Sequence, residues 1–89
     1  MATFLVRGKM VHAYVLINVE IGTENDVLNK LKEISGVVEA WIVFGVYDII
    51  TKVEAENSEK LKDFISKSIR KIEGVRNTLT LMPIEGFAK

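Results

Sequence analysis

Few side chains in this chain could carry a reaction. It contains no cysteine, which excludes thiol nucleophiles, disulfide scaffolds and cysteine-held zinc or iron–sulfur centres. His12 is the single histidine, so no histidine cluster can hold a metal, and it reads as a plain strand residue. No nucleophile stands beside a base, and no two carboxylates are spaced for acid–base work. What remains is hydrogen bonding. Asp48 follows closely on Gly45, where a carboxylate either accepts backbone N–H groups of a turn or meets a cation. Thr78 and Thr80 lie two apart in an extended segment, so their hydroxyls share one face. By propensity they are also ordinary strand residues. Tyr47 offers a packing ring with a polar tip, and Trp41 reads as core or interface. This chemistry suits recognition, and neither a catalytic centre nor a cofactor is expected.

Composition narrows the class. Twelve basic residues balance twelve acidic ones, hydrophobic residues make up 48% and charged residues 27%. That is the profile of a globular domain, and its neutrality offers no attraction to phosphate backbones or acidic membranes. No apolar run reaches the roughly 18 residues that cross a bilayer. Near the N-terminus the basic residues follow the short patch Phe4-Leu5-Val6, the reverse of a secretory signal, so a cytoplasmic protein is expected. Residues 1–10 read as an N-terminal extension, with Met10 able to serve as an alternative start, and residues 11–89 as one domain.

The elements that must position these side chains follow from pattern. Residues 12–21, rich in β-branched side chains, predict a first strand. Thr23 predicts an N-cap with Asp26 as a weak capping-box partner, and Val27, Leu28, Leu31 and Ile34 follow helical spacing until Gly36 stops the helix. Residues 37–44 and 47–54 predict a hairpin around a Gly45-Val46 turn. Asn57 or Ser58 caps a second helix with Leu61, Phe64, Ile65, Ile69 and Ile72 buried. Lys60, Lys62, Lys67, Arg70 and Lys71 then form a solvated face interleaved with Glu59, Asp63 and Glu73. Gly74 ends this helix, and residues 75–84 predict the last strand.

The expected fold is α+β, ferredoxin-like β-α-β-β-α-β, a four-stranded antiparallel sheet with both helices on one face. The strands carry apolar residues at both parities, as in a sheet buried on two sides. A second copy is therefore expected to close the bare face, giving a dimer through the sheet.

Three segments carry a resemblance. Gly45-Val46-Tyr47-Asp48 with the strand after it resembles the G-x-Y-D segment of the Lrp/AsnC transcription regulators. Gly74-Val75-Arg76-Asn77-Thr78-Leu79-Thr80 is similar to their closing strand, and Ser35 to Ala40 to their entry into strand two. The resemblance spans about residues 11–85 and implies the effector-binding (RAM) domain of that family. Members carry an N-terminal helix-turn-helix, for which ten residues leave no room. The resemblance therefore implies a stand-alone sensing domain that modulates transcription through mixed assemblies with full-length Lrp/AsnC regulators rather than by contacting nucleic acid directly. It also implies a homodimer, octamers of four dimers, and an amino-acid effector held between dimers. Under that resemblance the expected ligand-binding residues are Gly45, Tyr47, Asp48, Thr78 and Thr80. Asp48 pairs the ammonium group, the threonines bond either polar end, and asparagine, glutamine or a branched amino acid is the effector. The competing readings are a dimeric α+β barrel monooxygenase, an ACT-like regulatory subunit and an RNA-recognition fold. The first lacks polar core groups here, the second lacks a neighbouring enzyme domain, and the third lacks an aromatic, basic central-strand run.

Overall fold

The computed structural model describes residues 10–89, so the expected N-terminal extension lies, Met10 apart, outside the described residues. Strand β1 (Val11–Val19) leads to helix α1 (Glu24–Lys32). Strands β2 (Val37–Ile42) and β3 (Ile49–Ala55) follow. Helix α2 (Ser58–Phe64) runs on into a π-helical turn (Ile65–Ile69), and β4 (Val75–Leu81) closes the chain. The strands form one antiparallel sheet in the order β2-β3-β1-β4. This is the expected α+β ferredoxin-like arrangement, with β2 and β4 at the edges.

Alternation along β1 and β3 decides which face meets the helices. Val15, Ile17, Ile49 and Val53 point to one side and are fully buried against Val27, Leu31, Leu61 and Ile69. Each such aliphatic side chain is worth roughly 1.5–3 kcal/mol relative to leaving it in water. Thr51 shares this face and is 99% buried, its hydroxyl donating to the Glu39 carbonyl at 2.7 Å. That bond answers a local irregularity. The β2–β3 register slips between Val37 and Glu39, and a bulge of this kind leaves backbone groups without their ladder partner.

Gly36 and Gly74 both adopt φ +102°, but they do not stop the helices, which end at Lys32 and Ile69. Each sits in the turn into the next strand, closed by the Val37 N–H on the Ile34 carbonyl and the Val75 N–H on the Ile72 carbonyl, where a positive φ favours glycine. A Cβ at Gly74 would also come within 3.0 Å of the Thr23 hydroxyl. Asn57 caps α2 as expected, its Oδ1 accepting the Lys60 N–H at 2.8 Å. Thr23 does not cap α1. Its backbone is not extended, and its hydroxyl donates to the Glu20 carbonyl at 2.7 Å instead, tying the tight turn before the helix.

The hairpin differs most from expectation. Strand pairing stops at Ile42 and resumes at Ile49, and the Val43 N–H donates to the Asp48 carbonyl at 2.9 Å. The connection therefore has a four-residue tip, Phe44 to Tyr47, and Tyr47 lies outside the strand. Gly45 does not take a positive φ, so no tight turn depends on it. The apolar run Val43-Phe44 has strand propensity, yet the ladder ends before it, and Phe44 and Val46 are exposed. The first and last strands are likewise shorter than expected, ending at Val19 and Leu81, and Pro83 falls beyond the ladder.

Candidate functional site

The five expected site residues fall into two groups. At the hairpin, Asp48 is half-buried and knits three segments together. Its N–H donates to the Ile17 carbonyl at 3.0 Å, its carbonyl accepts from Val43, and its Oδ2 accepts the Val19 N–H at 2.8 Å. The side chain supplies an acceptor on the β3 side of β1, just past the last β1–β3 pair, Ile17 with Ile49. Of the two roles open to Asp48, the backbone one is therefore occupied within the chain. Tyr47 is half-buried beside it, and Gly45 stands at the open tip, with nothing within 4 Å of a would-be Cβ.

Thr78 and Thr80 pair with Ile17 and Val15, whose side chains face the helices, so the two hydroxyls stand on the helix side of the edge strand β4. There they line a cleft of ≈ 400 Å³ with Lys62, Ile65, Ser66, Arg70 and Met82. That volume falls within the range of small-molecule pockets. Lys62, Ser66 and Arg70 follow one another at four-residue intervals, and so reach the cleft from one side of α2 and its π turn. Two cations and three hydroxyls surround an apolar floor, and no carboxylate lines the cleft. Neighbouring cations are paired, Lys60 with Glu56 at 2.7 Å and Lys67 with Asp63 at 3.2 Å. Lys62 and Arg70 have no ion pair among the described residues. Glu56, whose carboxyl the bonded Lys60 ammonium holds below the usual range, lines neither group.

Lys62 and Arg70 are exposed, as expected of a solvated helix face, and they also border this cleft. The signal that could have found them is the run Lys62, Ser66, Arg70, which matches one helix row to a Thr-x-Thr strand.

The two groups do not meet within one chain. Strand β1 separates β4 from β3, two inter-strand spacings or roughly 9–10 Å, and the hairpin tip belongs to the opposite edge. The sheet face away from the helices is the third feature. Trp41, Ile50, Leu16 and Leu79 form a continuous apolar row across all four strands, flanked by Tyr14 and Leu81. Trp41 is 61% exposed. Polar groups border the row. The Lys52 Nζ lies 5.9 Å from the Tyr14 ring centroid, the Trp41 Nε1 donates to Glu39 Oε1 at 3.0 Å, and His12 Nε2 lies 3.3 Å from Glu54 Oε1. Among the described residues no helix is long and apolar enough to cross a membrane.

Comparison with known proteins gives this arrangement a context. The family model of the Lrp/AsnC ligand binding domain matches residues 12–88. The HTH-type transcriptional regulator FL11 of Pyrococcus furiosus is 33% identical over 78 residues, covering 88% of this chain and 51% of the regulator. The chain thus spans about half the length of this relative. The crystal structure of FFRP-DM1 superposes with a TM-score of 0.80 at 38% identity, covering 83% of this chain and 99% of that one. Homocitrate synthase of Saccharolobus islandicus is 42% identical over 59 residues, which is 66% of this chain and 13% of the enzyme.

Proposed function

The chain belongs to the Lrp/AsnC ligand-binding domain family, and from that premise we propose that it is an amino-acid-responsive assembly domain acting on transcription through regulators of the same family. The observation that carries the reading is the β4–α2 cleft. A free amino acid presents a carboxylate, an ammonium group and a side chain. Lys62, Arg70, Ser66, Thr78 and Thr80 supply donors for the first, and Ile65 and Met82 an apolar wall for the last. Acceptors for the ammonium are scarce in the cleft and plentiful at the hairpin of another copy, in Asp48, Tyr47 and the backbone of the tip. A ligand held between cleft and hairpin would tie its own binding to assembly, because it stabilises the assembled state by its differential affinity for it. The apolar row on the bare sheet face supports a second copy packed there, as in a homodimer.

The test is a melt and a light-scattering mass measured with each of the twenty amino acids. One of them should raise the melting temperature by several degrees or change the mass, and Thr80→Val, at an exposed position, should reduce that response. If no amino acid moves either quantity, the reading fails. A second reading is favoured by the homocitrate synthase match, in which a segment like this chain forms a small part of an enzyme. In that reading the domain regulates an enzyme rather than a promoter. The two separate on whether the liganded chain changes operator binding by a family regulator or turnover by an enzyme of that type.

A further inference from the structure

We infer that the cleft selects a dicarboxylic amino acid, glutamate or aspartate, over neutral and basic ones. This deepens the proposed function and rests on it. Lys62 and Arg70 sit eight residues apart, about two turns along α2 and its π turn, with Ser66 between them and Thr78 and Thr80 opposite. Both cations end long flexible side chains that can close on a ligand from its two ends. A ligand with one carboxylate satisfies one cation and leaves the other facing an uncharged side chain. While the cleft stays open, water tolerates that mismatch. Once a second copy covers it, an unpaired cation is expensive. A second carboxylate removes the cost with charge-assisted hydrogen bonds, and the methylene stem lies on Ile65. A lysine or arginine ligand would add a third positive charge where no acidic side chain waits.

Titration calorimetry on the whole chain at constant ionic strength tests this with glutamate, aspartate, glutamine, asparagine, lysine and glutarate. The expected result is at least tenfold tighter binding of an acidic amino acid than of its amide. Lys62→Glu should weaken the acidic ligand by about tenfold or more and improve lysine, while Lys67→Glu, on the same helix outside the cleft, changes neither. Both positions are exposed, and an unchanged melting temperature without ligand confirms the fold. Tighter binding of a neutral or basic amino acid overturns the selectivity and leaves the proposed function standing. Glutarate binding as well as glutamate overturns it as a general anion site. Binding of no amino acid overturns both.

Discussion

The two faces of the sheet are built from similar residues and meet different fates. On the helix side, Val15, Ile17, Ile49 and Val53 are sealed from solvent. On the other side, Leu16, Ile50, Leu79 and Trp41 make a row of comparable apolar character, yet Leu79 remains 44% exposed and Trp41 61%. Hydrophobicity alone therefore does not separate fold from function here. The difference lies in whether the described residues supply the cover. One face is an intramolecular core, and the other is an apolar surface bordered by polar pairs, the anatomy of an interface.

That contrast can be broken experimentally. Ile17→Ala, in the sealed layer, should cost about 2–5 kcal/mol in urea unfolding, through lost transfer energy and a residual cavity. A cost below 1 kcal/mol would mean that the layer is loosely packed. Thr51→Val keeps the shape of the same layer and strands the Glu39 carbonyl, for a loss of about 1–2 kcal/mol. Leu79→Asp on the open face should change the stability of the dilute chain by less than about 1 kcal/mol, while light scattering at rising concentration shows self-association lost. If Leu79→Asp unfolds the chain outright, the open face is as much core as the covered one and the contrast disappears.

The sequence reached the fold because its strongest signals were local. The alternating strands, the buried row Leu61, Ile65 and Ile69 and the positive-φ glycines Gly36 and Gly74 each state a local preference that the fold then uses, although the helices end before the glycines and Phe64 and Ile72 are only half-buried. It was weaker wherever a residue's job depended on something distant in sequence. Asp48 spends one oxygen on Val19, twenty-nine positions away, and no turn chemistry could name that partner. Thr23 had the right type for a cap but was claimed by Glu20. The hairpin is longer than its residues suggest, because Val43-Phe44 has strand propensity although pairing ends at Ile42. Thr78 and Thr80 were legible as a pair sharing a face. That the exposed Lys62 and Arg70 border a cleft with them was not, since a solvated basic helix face looks the same in sequence whether or not a strand edge runs beside it.

The π turn has a further consequence. A four-residue step overshoots one α-helical turn by about 40°, so both the buried row Leu61, Ile65, Ile69 and the polar row Lys62, Ser66, Arg70 would wind away from the sheet within two steps. The wider turn, closed where the Arg70 N–H reaches back to the Ile65 carbonyl at 3.0 Å, resets the phase and keeps both rows pointing along the same bearing. Core and cleft are thus geared together. A mutation that tightens this segment into ordinary helix would swing the guanidinium away from β4 while dragging Ile69 out of its seat, so the far end of the cleft cannot be retuned without disturbing the packing beneath it.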